Sequence, residues 1–472
     1  MKILIRTLAL TLLTLPPLAR AESLSAAKPV PEPARPKVLL IGLDGVSLNL
    51  LEPKAKAGLT PNLGRLLETG TRGHLRTIWP MRTPQVWTTA VTGKLPGQHG
   101  IWDHKSSTYF NPPEVRTEEK LVVTTADRKS KALWNILGEK GMKSLIVGWV
   151  PSWPAEAVEG SVIAAPIELM GDPRQTTIKG SFWRGEKGQI QPATLQKKLM
   201  SKIVEPGDLK PEELKAWADI PPEGHELYTT VPRLDRYAYA IEWSLARAKS
   251  VEAIALALAP EVRADLALVY FQCTDSMLHR FWIFQKSEAD IRVRYDTHGI
   301  DPVSIPEMKR RFGGVVDACY RDIDARVGRV LEALAGPDTL VMIVSDHGFG
   351  NAPVPHKLKG EPFSGDHLDD GVLLVAGPGV PAGAAVKGAK IEDVTPTLLH
   401  YLGLPVGADM KGRVLEGIFE KTWRKAHPVQ TIPSYEAAPQ TEVLHPEGYP
   451  ERNIPLKPAS AQMPGVGQSA GE

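Results

Sequence analysis

Lys37–Asp44 (KVLLIGLD) is a run of aliphatic residues that ends on an aspartate, and the pattern occurs twice more. Asp265–Gln272 leads into Asp275 (DLALVYFQCTD), and Thr339–Asp346 (TLVMIVSD) closes in the same way. Continuous Val/Ile/Leu runs of this length predict strands covered on both faces, as in a parallel sheet with helices above and below. In such sheets ligands collect outside the carboxyl ends of the strands. His279 follows Asp275 by four positions and His347 follows Asp346 directly. Acids and imidazoles therefore gather where a ligand would sit, which points to a metal site.

Outward from these runs the chain alternates strand and helix. Helices are predicted over Leu63–Thr69, Lys131–Lys140, Leu234–Ala259, Phe312–Ala335 and Asp393–Leu402, and further strands over Ser144–Val150 and Gly371–Ala376. The expected fold is α/β, a three-layer αβα sandwich with a mostly parallel central sheet. Two stretches interrupt the alternation, 168–220 and 281–307, and are expected as insertions that shape access to the site.

The ends read differently. Lys2 and Arg6, the apolar Leu8–Leu18 and Ala19-Arg20-Ala21 have the anatomy of a secretory signal peptide over residues 1–21. The stretch is too short for a membrane span, and no later segment is apolar enough for one. A periplasmic or secreted protein is expected. Residues 22–36, with Ala27–Pro36 reading AKPVPEPARP, form a Pro-rich linker, 37–428 the main folded domain, and 429–472 a Pro/Gly/Ala-rich tail with little fixed structure. A formal net charge of +2 over 472 residues, with the basic residues dispersed, argues against a nucleic-acid polymer as partner. Cys273 at a strand end and Cys319 in a helical stretch read as two buried thiols rather than a disulfide.

Asp275 and His279 share one face of a helical turn. Asp346-His347-Gly348 turns sharply after its strand, His367 lies in a loop with Gly365, and Gly45 lets the chain leave Asp44 exposed. Three carboxylates and three imidazoles suit zinc and, less selectively, other transition ions. Thr83 before Pro84 reads as an N-cap, which puts a hydroxyl at the positive end of a helix where anions are stabilised. An isolated Thr-Pro is more often only a helix start.

Taken in order, GLDG (42–45), RTPQVWTTAVTGKLPGQHGI (82–101), TDSMLH (274–279), SDHGFG (345–350) and GDHLDDG (365–371) resemble the alkaline phosphatase superfamily. The branch they are most similar to is the type I phosphodiesterase/nucleotide pyrophosphatase group, and the resemblance runs from about Lys37 to Leu415. It implies two divalent ions, most simply Zn2+: one held by Asp275, His279 and His367, the other by Asp44, Asp346, His347 and the Thr83 hydroxyl. It implies a small-molecule phosphate ester as substrate, a phosphothreonine intermediate on Thr83, and ions about 4 Å apart that clamp the attacking and leaving oxygens.

The pattern departs in places. Many nucleotide pyrophosphatases carry His-Gly-Ile-x-x-Asn, whereas here His104 stands near the place of the Asn, as a substrate contact or a packing residue. Lys94 is a candidate contact for an anionic substrate, with an exposed lysine as its plainer reading, and His99 reads as structural. Formylglycine sulfatases need a Cys or Ser in Cys/Ser-x-Pro-x-Arg, and Thr83 does not fit. Phosphoglycerate mutase-type relatives use Ser. A diesterase or pyrophosphatase leads, then a phosphomonoesterase, then a phosphonate hydrolase. From another class, an inactive phosphate-ester binding protein would keep the metals and bind product tightly. Oligomeric state is not legible.

Overall fold

In the computed structural model, residues 37–104, 123–166, 181–184, 186–221, 234–295, 305–358 and 361–436 are described, and strand β1 (Val38–Leu43) is buried along its whole length. Both faces of β1 are covered. Leu39, Ile41 and Leu43 join the apolar core on one side, Val38 and Leu40 the core on the other. The absence of polar alternation in the sequence has this cause.

After β1 come α1 (Leu48–Lys56), α2 (Pro61–Thr69), β2 (Thr71–Arg76) and α3 (Thr83–Thr92). Next are α4 (Leu133–Glu139), β3 (Ser144–Val147), β4 (Val162–Ala164), β5 (Ile190–Gln191), α5 (Leu234–Leu258) and β6 (Leu266–Phe271). Then follow α6 (Cys273–Phe281), α7 (Val315–Leu334), β7 (Leu340–Val344), β8 (Gly348–Leu358), β9 (Glu361–Leu368) and β10 (Asp370–Ala376). β11 (Ala385–Lys390), α8 (Val394–Tyr401), β12 (Val406–Gly407) and β13 (Thr431–Ile432) complete the set that concerns the site.

The sheet order is β11-β2-β10-β7-β1-β6-β3-β4-β5. β1 lies parallel between β6 and β7, and only β10 and β5 run antiparallel to their neighbours. Residues of α2, α5, α6 and α7 pack on one face, those of α3, α4 and α8 on the other, which makes the expected αβα sandwich. β1 is flanked by β6 on one side and β7 on the other, and in such sheets ligands collect beyond the carboxyl ends of the strands. Asp44, Asp275 and Asp346 stand at those ends.

Several boundaries differ from expectation. The helix predicted from Phe312 begins at Val315, because Gly313-Gly314 separate it from a shorter helix, Ile305–Phe312. In the described part of the 168–220 stretch, Ile190–Gln191 extends the sheet edge, and Leu199, Ile203 and Trp217 enter the main core. In the described part of the 281–307 stretch, Trp282 Nε1 donates to Asn351 Oδ1 at 2.9 Å. Past Val429, the expected start of the tail, Thr431–Ile432 pairs with Val406–Gly407 and the Tyr435 hydroxyl donates to the Pro405 carbonyl at 2.5 Å. The signal peptide, the linker and residues 437–472 lie outside the described residues. Both cysteines are free and buried. Among the described residues no helix is long and apolar enough to cross a membrane.

One close approach fixes the site's edge. A Cβ on Gly371 of β10 would stand 2.4 Å from the Ser345 carbonyl oxygen. Ser345 in turn bridges the strand ends: its Oγ donates to the His347 carbonyl at 2.8 Å and accepts from the Val46 N–H at 2.9 Å. Gly371→Ala is therefore expected to cost about 1–3 kcal/mol, read from urea unfolding, and to weaken divalent-ion retention next door. Unchanged stability would show that β10 yields without strain.

Candidate metal centre

Two of the acidic side chains at the strand ends, Asp44 and Asp346, have one oxygen tied and one left over. Asp44 Oδ2 accepts the Tyr270 hydroxyl, while Asp44 Oδ1 has no hydrogen-bond partner. Asp346 Oδ1 accepts the Gly45 N–H at 3.3 Å, while Asp346 Oδ2 has none. Asp275 Oδ1, on the first turn of α6, is likewise without a hydrogen bond, and so is His347 Nε2. Buried polar atoms without partners are costly and call for an explanation.

The imidazoles are held by their other nitrogens. His347 Nδ1 lies 2.9 Å from the Gly348 carbonyl, His367 Nδ1 3.1 Å from the Met81 carbonyl, and His279 Nδ1 3.3 Å from the Gly365 carbonyl. A carbonyl only accepts, so each Nδ1 carries a hydrogen and donates it, and each Nε2 turns inward. His279 Nε2 and His367 Nε2 are 2.8 Å apart, and lie 3.1 and 3.3 Å from Asp275 Oδ1. His347 Nε2 is 3.3 Å from Asp44 Oδ1, 3.4 Å from Asp346 Oδ2 and 3.9 Å from Asp275 Oδ1.

Two neutral imidazoles whose Nδ1 hydrogens are spent cannot hydrogen-bond through their Nε2 atoms; their lone pairs repel unless a cation lies between. The spacings sit near the about 3.3 Å expected between donors of a tetrahedral ion with bonds near 2.0 Å. Asp44, Asp346 and His347 form one compact donor group, and Asp275, His347 and His367 another. His279 joins the second by its distances, and His347 faces both. The donor set fits two divalent ions.

The electrostatics agree. Burial, then Asp44, pushes the Asp346 carboxyl well above its ordinary value. Burial opposes charge on His347, but Asp346 and Asp44 outweigh it and hold that imidazole up to about 10. Burial and the neighbouring His347 bring His367 down to about 4. Without metal the centre keeps protons where divalent ions would otherwise balance the charge.

Thr83 is the first helical residue of α3 and buried; the cap position belongs to Arg82, one residue earlier than the sequence suggests, and no side chain caps the helix. The Met81 carbonyl that holds His367 lies two residues upstream, within about 7 Å of chain, so this helix start is tethered to the ligand cluster. His104 is buried, its N–H on Asp103 Oδ1 at 2.7 Å and its carbonyl accepting from the Val123 N–H at 3.0 Å.

Lys94 is not the exposed lysine expected. It is buried, with its ammonium 2.6 Å from Asp409 and 2.8 Å from Glu436, and its charge serves to hold the C-terminal segment. His99 accepts the Ile101 N–H on Nδ1 at 3.1 Å, so Nε2–H donates to Thr89 Oγ1 at 3.0 Å, which in turn donates to the Gln85 carbonyl at 3.0 Å. Burial and Arg128 bring His99 down to about 3, and it braces the loop as a neutral ring. Among the tryptophans, Trp87, Trp149 and Trp153 are buried, but Trp79 stands out into solvent.

Sequence reasoning missed the Met81, Gly348 and Gly365 carbonyls, which have no side-chain signature, and Tyr270. A tyrosine inside an aliphatic strand was a usable signal, because a buried hydroxyl needs a partner.

Over residues 38–433 the chain matches the family described as type I phosphodiesterase/nucleotide pyrophosphatase. It is similar to the 2,3-bisphosphoglycerate-independent phosphoglycerate mutase of Cereibacter sphaeroides, 31% identical over 21% of this chain and 19% of that one. The corresponding mutase of Synechocystis is 35% identical over 23% of this chain and 22% of that one. The chain spans about a fifth of the length of these curated relatives. Human ectonucleotide pyrophosphatase/phosphodiesterase 5 aligns over 81% of this chain and 100% of its own at 13% identity, with a TM-score of 0.42. A putative sulfatase from Bacteroides thetaiotaomicron aligns over 81% of this chain and 74% of its own at 14% identity, with a TM-score of 0.46.

Two measurements follow from this geometry. His279→Ala and His367→Ala should each lower the divalent-ion content found by elemental analysis, and full retention would break the donor assignment. A histidine whose folded value lies below its unfolded 6.5 contributes stability above pH 6.5 that is lost as pH falls toward about 3. His99→Gln should flatten acid unfolding by up to about 1.4 kcal/mol per pH unit, and an unchanged slope would remove His99 from the balance.

Proposed function

The chain belongs to the type I phosphodiesterase/nucleotide pyrophosphatase family, and we propose that it hydrolyses small phosphate esters, diesters or pyrophosphates first, through Thr83. The observation that carries this reading is the convergence of partnerless donor atoms from Asp44, Asp275, Asp346 and His347 with the Nε2 atoms of His279 and His367, beside the start of α3.

Asp275, His279 and His367 would hold one ion, and Asp44, Asp346, His347 and the Thr83 hydroxyl the other; the mixed nitrogen and carboxylate set favours zinc. When bound, such ions lower the cost of ionising a hydroxyl and neutralise charge on phosphoryl oxygens. Thr83 Oγ1 attacks phosphorus, the bond from phosphorus to the departing oxygen breaks, and the threonine proton ends on the alcohol released. Water then cleaves the phosphothreonine ester, which restores the Thr83 hydroxyl and frees the phosphate product. The positive end of the α3 dipole favours the anionic phosphoryl group at this place. Because α3 is packed against the sheet through Val86 and Trp87, the nucleophile stands on a rigid element rather than a loop.

Export belongs to the same proposal, supported by the Lys2–Ala21 pattern, and is tested by N-terminal sequencing of the protein recovered from the cell exterior or periplasm. For the chemistry, Thr83→Ala should lower turnover of bis-p-nitrophenyl phosphate by roughly a thousandfold or more while zinc content stays near the unmodified level. Equal rates in both proteins would remove Thr83 from the reaction. A faster rate on p-nitrophenyl phosphate than on the diester would turn the assignment to a monoesterase.

A further inference from the structure

We propose that Tyr270 is a positioning residue for the metal centre, its hydroxyl occupying Asp44 Oδ2 so that Asp44 offers the site only Oδ1. The proposal rests on the two-ion reading above and adds to it a residue outside the ligand set. A carboxylate with both oxygens free can swing or chelate through both. With Oδ2 taken by the hydroxyl, Oδ1 remains as the donor, 3.3 Å from His347 Nε2. Asp346 is oriented in the same way by the Gly45 N–H, but that donor is backbone. At Asp44 the task falls to a side chain.

The fold makes room for it. Tyr270 lies opposite Gly42 in the parallel pairing of β6 with β1, two residues short of Asp44. A Cβ on Gly42 would stand 3.0 Å from the Tyr270 ring and 3.0 Å from the Trp87 ring. The phenol therefore crosses over a glycine to reach along its neighbour strand. Trp87 meets the ring edge-on at 4.9 Å and Trp149 lies 5.9 Å away, while the Arg247 guanidinium rests 5.6 Å from the ring centre. A ring boxed in on these sides holds its hydroxyl in one place, which is what a group that orients a ligand requires.

The test uses the full chain, stripped with a chelator and titrated with zinc against a chromophoric competitor, with folding checked by circular dichroism. In Tyr270→Phe the ring and its packing remain and only the hydroxyl goes. One of the two ions should then bind roughly 10–100-fold more weakly and the other as before, with kcat lowered and KM little changed. Should the phenylalanine protein not fold, Gly42→Ala displaces the ring with the hydroxyl still present. It should weaken the same ion, and unchanged affinity there overturns the proposal. A wild type that takes up no second ion overturns the two-ion reading and this proposal with it. A wild type that binds two, with unchanged affinity for both in Tyr270→Phe, overturns this proposal alone.

Discussion

Three carboxylates and three imidazole nitrogens are driven toward one another at a dry sheet edge, where their mutual repulsion is screened least. Much of the surrounding structure serves to keep them there. Asp44, Asp346 and His347 are fully buried, so none can turn to water to relieve the charge. A cluster of this kind is stable only if cations or protons enter it. The high position of His347 and the raised Asp346 carboxyl describe the same cluster with protons standing in.

Restraint comes from the strands and from backbone carbonyls. β1, β6 and β7 are buried on both faces, so their ends cannot move without opening the core. Each imidazole is pinned at Nδ1 by a carbonyl from a different segment: Gly348, Met81 and Gly365. The Met81 contact links the second ligand group to the helix that presents Thr83. Thr83 and the donor cluster are thus joined through the Met81 carbonyl, and a shift in either is felt by the other.

Much of this was legible in the residues. The unbroken aliphatic runs announced strands without a solvated face, and the aspartate after each run marked a carboxyl end. The alternation of strand and helix yielded the sandwich. Boundaries were less legible where backbone freedom decides them, as at Gly313-Gly314, or where a polar stretch such as Ile190–Gln191 joins the sheet through main-chain bonds alone. Lys94 was misread because a lysine's default is exposure. Its two acidic partners, Asp409 and Glu436, stand more than 300 positions away in the sequence.

By itself the sequence determined which side chains lie at the strand ends and in what order, because strand burial and helical spacing are local periodicities. The tertiary structure decided which atom of each donor is free. For Asp44 and His367 that choice is set by hydrogen bonds between distant segments: Tyr270 with Asp44 across 226 positions, and His367 with the Met81 carbonyl across 286. A linear pattern records no such contact. The selection of one lone pair over another arises only when separate strands are brought edge to edge and their unsatisfied polar groups must share the same small space.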